Sequence, residues 1–284
     1  METPRDFSTI SPSAKSLLFL KGHTQIPYAL QAAKLMAAPE NFEPDFAKKD
    51  TLFWSRVYHF ESRYRSIDYL LEGIDAQNIL ELSSGFSFRG LEAVKTPGVN
   101  YIDTDLPNVI EHKKHLILQL ETFISDRLQL LPLNALNREE FAAAVNQFPM
   151  GKLTIVNEGL LMYLNMEEKR TLCRNIRAAL EERGGYWITA DAYVKTPEFN
   201  AAISKSDKLN QFFEKHNIEE NKFDSFEQAE AFFLESGLAI DKEAEVAPGQ
   251  ISSLPYLLAC LDPEQLAKLR QVPKMQKTWR LKLA

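Results

Sequence analysis

The chain has 284 residues, 45% of them hydrophobic and 11% aromatic, enough apolar material for a packed core, which excludes disorder along its whole length. Its formal net charge of -6 gives no general attraction to phosphate backbones or anionic lipid, so nucleic acid and membranes are poor partners and a small molecule is the expected one. The only cysteines, Cys173 and Cys260, fall far apart in expected helices, which excludes a disulfide framework or a paired-ligand zinc site and reads both as core filler.

The chain opens Met1-Glu2-Thr3-Pro4-Arg5-Asp6, without the basic region and apolar stretch of a signal peptide, and no later run approaches membrane-spanning length; a cytoplasmic location is expected. From Phe7 to Leu71 apolar residues recur at helical spacing, in Ser13 to Leu20, Tyr28 to Ala38 and Thr51 to Leu71. These residues read as a helical cover, 1–72, laid over a larger part of the same domain, 73–284. At Asn78-Ile79-Leu80-Glu81-Leu82 the pattern changes to a short apolar run ending in Ser83-Ser84-Gly85, a buried strand meeting a turn. Further strands are expected at Val99 to Asp103, Leu128 to Leu133, Leu153 to Asn157, Gly185 to Ala190, Leu238 to Val246 and Thr278 to Leu283. Helical patterns at Asn108 to Ile124, Arg138 to Gln147, Glu167 to Glu182 and Phe226 to Ser236 separate most of them, with further helices between Ser253 and Leu269. Alternating strands and helices imply an α/β, doubly wound, mostly parallel sheet covered on both faces, with an antiparallel last strand.

In such a sheet the ligand lies beyond the carboxyl ends of the strands, where strand order reverses. Three ends stand out. Glu81-Leu82-Ser83-Ser84-Gly85-Phe86-Ser87-Phe88-Arg89-Gly90 offers small residues that let a ligand approach the backbone, yet it is neither a phosphate loop nor a dinucleotide fingerprint, since Leu91-Glu92 follows Gly90 and Ser87 holds the middle glycine position. A cofactor without phosphates fits it better, although a plain βα turn accounts for it too. In Tyr101-Ile102-Asp103-Thr104-Asp105-Leu106-Pro107 an acidic residue ends the second strand about twenty residues past the first turn, where a carboxylate accepts ribose hydroxyls. Asp105, nearer the strand end, is the expected ribose ligand; Asp103 is expected in a structural role such as capping the next helix. In Asn157-Glu158-Gly159-Leu160-Leu161-Met162-Tyr163-Leu164 an acid and apolar surface suit a sulfonium and its methionyl chain, with helix initiation as the alternative.

At these residues the sequence resembles the leucine carboxyl methyltransferase family, including bacterial polyketide O-methyltransferases of the tetracenomycin type. The resemblance is carried by Glu81 to Arg89, by Asp105-Leu106-Pro107 followed by Lys113, and by Glu158 to Leu164, and it runs from about Ser11 to Tyr193. It implies a methyltransferase that uses S-adenosylmethionine and leaves S-adenosylhomocysteine. Glu81, Ser83 and Gly85 would pass the methionyl part, Asp105 and Leu106 would hold the ribose, and Glu158 would line the same pocket. Arg63 matches the arginine that pairs with the cofactor's carboxylate, as a guanidinium can through two parallel hydrogen bonds, the alternative being a surface ion pair. Lys15 resembles the family's early lysine more loosely. Three departures stand beside these matches: Ser83 for a usual glycine, Ser87-Phe88 for Asp-Thr, and Asn134 for the Asp that binds the adenine amino group. Asn134-Ala135-Leu136 can still offer a carbonyl and a backbone donor.

If the acceptor is a carboxylate, as the family implies, it is ionised near neutral pH and needs no base. The sequence fits that, having no evident catalytic dyad. Among its five histidines, His112 and His115 share a helix face with lysines and read as solvated surface, and no metal site is expected. Tyr163 is the residue expected to orient the acceptor. Phe53, Trp54, Phe212 and Phe213 read as core first and substrate wall second. A methyltransferase acting on a phenol or other hydroxyl, a nicotinamide-dependent oxidoreductase and a silent nucleoside-binding protein remain the alternatives.

Overall fold

The computed structural model describes residues 11–195, 214–269 and 273–284; Phe212, Phe213 and the first residues of the expected cover lie outside them. Among the described residues seven strands form one sheet: β1 (Asn78–Leu82), β2 (Asn100–Asp105), β3 (Leu128–Pro132), β4 (Leu153–Asn157), β5 (Gly185–Tyr193), β6 (Leu238–Glu243) and β7 (Gln276–Leu283). Their order is β3-β2-β1-β4-β5-β7-β6, with β1 to β5 parallel and β7 antiparallel to both of its neighbours. Strand order reverses between β1 and β4, so the crevice for a ligand opens above those two strands.

The central strands read as continuous apolar runs because both faces are covered: all five residues of β1 and of β4 are buried. One face carries Leu80, Ile155 and Trp187 against α6 (Arg138–Val145), α7 (Met166–Arg183) and α8 (Phe226–Glu235). The other carries Ile79, Val156 and Ile188 against Leu18 of α1 (Ser11–Lys21), Ala32 and Ala33 of α2 (Ala29–Ala37) and Ile67 and Leu70 of α3 (Thr51–Glu72). The helices are started by side chains that the sequence places at their ends: Asp50 accepts the Phe53 N–H, and Asn165 and Glu168 form a reciprocal capping box on α7. Glu61 of α3, wholly buried, accepts the backbone N–H and hydroxyl of both Ser252 and Ser253, tying the late segment to that helix.

Two strands run further than their hydrophobic patterns imply. β2 continues through Asp103 to Asp105, and β5 passes Ala190 to Tyr193, because hydrogen bonds to neighbouring strands hold residues whose polarity would otherwise end the run. β6, in contrast, stops at Glu243 instead of Val246. Cys260 lies in a turn after the helix Leu254–Leu258, half-buried against the Trp54, Val57 and Leu257 cluster with its thiol 3.8 Å from the Lys48 carbonyl, while Cys173 is fully buried. Trp54 is fully buried against Phe53, Phe46 and Tyr256, a packing residue and not a substrate wall. No helix among the described residues is long and apolar enough to cross a membrane, and they hold no cluster of metal-ligating side chains.

Gly90, in α4 (Arg89–Ala93), shows how tightly this helix lies on the sheet: a Cβ there would fall 2.6 Å from the Tyr101 ring and 3.0 Å from Leu128. Tyr101 cannot yield freely, since its buried hydroxyl donates to Glu81 at 2.7 Å. Gly90→Ala is expected to cost about 1–3 kcal/mol through overpacking, read as a lowered urea midpoint with an unchanged slope.

Candidate active site

The carboxyl ends of β1 and β2 are fastened together at two levels. Beneath, the Ser84 N–H donates to the Thr104 carbonyl (3.0 Å) and the Ser84 hydroxyl to Asp103. The ammonium of Lys113, on α5 (Pro107–Leu120), reaches the Ser84 hydroxyl at 3.0 Å and Asp103 at 2.5 Å. Asp103 is thus structural, but through a buried lysine and not through a helix cap. Above this, the Asp105 carboxylate accepts the Gly85 N–H at 2.7 Å and the Leu106 N–H at 2.6 Å. Burial raises its pKa despite these two donors, and each oxygen keeps a lone pair for a further donor. The turn that brings Gly85 to it needs left-handed backbone at both Ser83 (φ 51°) and Gly85 (φ 53°). Glycine adopts that conformation without steric cost, which is the physical content of the family's usual glycine at the serine position.

At the end of β4, Glu158 is the meeting point of three buried cations. Lys21 of α1 lies 2.8 Å from its Oε1, Arg63 of α3 lies 3.1 Å from the same oxygen, and Arg89 of α4 lies 3.6 Å from Oε2. Burial disfavours the charge on Glu158, but the ammonium and the two guanidiniums outweigh it and hold the pKa down at about 2. Arg89 also pairs with Asp68, covers the Tyr64 ring and stands 3.8 Å from Glu81, so Glu81, bonded to Tyr101, belongs to the support of Arg89. Arg63 is buried, which rules out a surface ion pair, and its Nη1 donates to the Tyr193 hydroxyl at 2.9 Å. Its neighbour Gly159 (φ 83°) leaves space that a Cβ would take, 3.1 Å from Arg63 Nη2.

This cluster has donors to spare. Arg63 Nε is buried without a hydrogen-bond partner, and Arg89 Nε and Nη2 face Glu81 and the Oε2 of Glu158 only at 3.8 and 3.6 Å, as ion pairs beyond hydrogen-bond distance. Buried guanidinium N–H groups are costly to leave unpaired, so the donor set suits an additional anion, and the methionyl carboxylate of S-adenosylmethionine is of that kind. A half-buried carboxylate at the end of β2 and the phosphate-free turn between β1 and α4 fit the same molecule.

Lys15 does not join this site: it is exposed on α1 with its ammonium 5.6 Å from the Phe19 ring centre. Six residues along a helix is a turn and two thirds, which places Lys21 on a different face, the one toward Glu158. Asn134 is exposed, with its side-chain oxygen accepting the Leu136 N–H (3.1 Å) in an Asx turn and its own N–H donating to Glu140 (2.9 Å). The Ala135 carbonyl accepts from Asn175 at 3.0 Å. The Asn134 side-chain carbonyl is thus engaged by the Leu136 N–H of its own segment, with one lone pair left over. Tyr163 sits in a single 3-10 turn, Leu161–Tyr163, buried, with its hydroxyl 3.3 Å from Ser13 of α1; burial raises its pKa.

Five residues of the site were given no role by the sequence reading: Lys21, Arg89, Asp191, Tyr193 and His59. Asp191 accepts from Asn157 Nδ2 and from the N–H groups of Gly159, Leu160 and Leu161, at 2.7 to 3.1 Å, and so shapes the loop that carries Glu158. An acid inside the apolar run Ile188-Thr189-Ala190-Asp191 was the available signal.

Because the folded pKa of Glu158 lies below the usual 4.5, its pairing adds stability above about pH 4.5 that is lost as the pH falls toward 2, on the order of 3 kcal/mol at neutrality. Glu158→Gln should therefore be less stable than the native protein at pH 5, with the gap narrowing toward pH 3 in urea unfolding. A constant gap would attribute the effect to shape instead of charge.

Solved structures share this architecture. A protein from Thermobifida fusca YX, assigned as a methyltransferase by similarity, aligns at 13% identity over 94% of both chains with a TM-score of 0.50. Magnesium protoporphyrin IX methyltransferase (ChlM) from Synechocystis PCC 6803, with bound SAH, aligns at 8% identity over 91% of this chain and 96% of that one, TM-score 0.50. LaPhzM aligns at 10% identity over 82% of this chain, TM-score 0.47, and the present chain spans 58% of its length. At such identities the likeness to the first two is one of fold alone. No curated protein matches the sequence. The sequence profile of leucine carboxyl methyltransferase matches residues 11–177, more than half of the chain, including the ends of β1, β2 and β4. The chain belongs to the leucine carboxyl methyltransferase family, whose methyl donor is S-adenosylmethionine.

Proposed function

We propose that the protein transfers the methyl group of S-adenosylmethionine to a carboxylate of a small molecule. The observation that carries this reading is the convergence of Lys21, Arg63 and Arg89 on the end of β4, with guanidinium N–H groups that make no hydrogen bond, opposite Asp105 at the end of β2. The cations grip the methionyl carboxylate, Asp105 accepts the ribose hydroxyls, and Gly85 lets the chain of the ligand pass close to the backbone. When bound, S-adenosylmethionine supplies a methyl carbon on a cationic sulfur: a carboxylate oxygen forms the new C–O bond as the C–S bond breaks toward sulfur, leaving a neutral thioether and no proton to remove. The protein's part is positioning, which contributes about 7–11 kcal/mol when reacting groups are held in line. Tyr163, on the loop after Glu158, orients the acceptor through its hydroxyl.

A carboxylate acceptor agrees with the imidazole nearest the charged cluster: burial and the adjacent Arg63 guanidinium push the pKa of His59 down to about 3, useless for taking a proton from a hydroxyl. One observation favours a hydroxyl acceptor instead, namely buried His216 with its ring centre 6.4 Å from that of Tyr163. Titration calorimetry with adenosylmethionine, adenosylhomocysteine and NAD, followed by transfer of radiolabelled methyl to a panel of carboxylic acids and phenols, tests the proposal. Label on the acids, with a product cleaved by mild alkali as an ester is, supports it; label on phenols alone moves the reading to His216 and a hydroxyl, and binding of NAD alone ends it.

A further inference from the structure

We infer that Tyr193 and His59 are positioning residues for Arg63, forming a hydrogen-bond relay of fixed direction that turns the guanidinium toward the carboxylate of the methyl donor. The inference rests on the reading of Arg63 given above. Its basis is a count of protons. Arg63 can only donate, so at 2.9 Å the Tyr193 oxygen accepts from it. The phenol's own proton is buried and needs an acceptor, and the nitrogen facing it is Nε2 of His59 at 2.7 Å. Nε2 therefore accepts, and the imidazole carries its proton on Nδ1.

The three groups are held by three separate anchors. His59 and Arg63 are four residues apart on α3 and so share a face of that helix. Tyr193 ends β5, where its carbonyl accepts the Phe223 N–H at 2.9 Å. Arg63 is gripped on its other side by Glu158 through Nη2, so Nη1 and Nη2 are both directed while Nε stays unspent. A guanidinium fixed at two corners presents its remaining N–H groups in one plane, and that preorganisation is what a planar carboxylate rewards. The relay also resists reversal. His59 faces the guanidinium of Arg63 on its own helix, Glu158 after β4, Lys222 before α8 and the Tyr193 phenol on β5; burial and Arg63 keep the imidazole neutral, and burial pushes Tyr193 up to about 12.

The test compares adenosylhomocysteine, which has the carboxylate, with methylthioadenosine, which lacks it, by titration calorimetry on the full chain. Tyr193→Phe and His59→Leu should each weaken adenosylhomocysteine roughly 5- to 10-fold, the scale of one hydrogen bond, and leave methylthioadenosine within about twofold. His59→Gln should recover most of the loss, because its amide oxygen accepts the phenol proton; a packing role would not favour glutamine over leucine. Native affinity should stay flat from pH 6 to 8.5. Arg63→Ala separates the two levels of the argument. If it discriminates between the ligands while Tyr193→Phe and His59→Leu do not, the relay is wrong and the reading of Arg63 stands. If Arg63→Ala affects both ligands equally, both fall. Should leucine and glutamine at position 59 fold poorly, Tyr193→Phe, which removes one oxygen, decides the matter alone.

Discussion

Asp105→Ala is expected to weaken adenosylhomocysteine by about 1.5–3 kcal/mol, roughly 10- to 150-fold in Kd, the scale for hydrogen bonds to a charged acceptor. Two losses combine in that figure. The ribose hydroxyls lose their acceptor, and the Gly85 and Leu106 N–H groups, which the carboxylate holds at 2.7 and 2.6 Å, lose the partner that fixes the turn after β1 to the end of β2. The second loss loosens the place where the cofactor passes the backbone. Asp105→Asn separates them in part: its amide oxygen can still receive the Gly85 N–H, but its NH2 group cannot accept the Leu106 N–H and it has no negative charge, so its loss should be intermediate. The ribose contribution is isolated with a 2′,3′-dideoxy analogue, for which native protein and Asp105→Asn should bind nearly alike. A folded Asp105→Ala protein with native affinity would remove this residue from the ribose site.

The residues at strand ends were legible because sheet topology alone dictates where they go. Alternating strands and helices placed the ends of β1, β2 and β4 side by side, and small or acidic residues at those ends had few other reasons to be there. Asp105, Gly85 and Glu158 could be read in that way, and the family motifs added Arg63. What stayed hidden depends on tertiary packing. Lys21 and Lys15 look alike in sequence, and only the rotation of α1 against the sheet decides that Lys21 faces Glu158. The pairing of Asp103 with Lys113 needs the register of α5 over β2, which no pattern within either element contains. Asp191 and Tyr193 were lost for a different reason: the hydrophobic run of β5 ends at Ala190, whereas the ladder with β7 carries the strand on to Tyr193. Asn134 shows the converse, a position whose family role suggested a free side-chain carbonyl and whose local Asx turn engages that carbonyl with the Leu136 N–H.

Arg63→Ala should lower both stability and affinity, and the two effects should separate cleanly. Removing one partner of a buried ion pair typically costs about 3–5 kcal/mol, since the other charge is left in a place from which water is excluded. Glu158 keeps Lys21 at 2.8 Å and Arg89 at 3.6 Å, so the cost here should fall at the lower end, about 3 kcal/mol, visible as a reduced urea midpoint. The effect on binding comes from the donors that Arg63 holds in reserve. Adenosylmethionine, which presents a carboxylate, should lose far more affinity than a decarboxylated analogue that shares its nucleoside and sulfur. Arg63→Lys refines this: an ammonium restores charge but not the planar fork that meets both oxygens, so it should recover stability more than affinity. Full recovery of both by lysine would show that Arg63 acts as a point charge; equal losses for the two ligands in Arg63→Ala would assign the residue to holding Glu158 and nothing more.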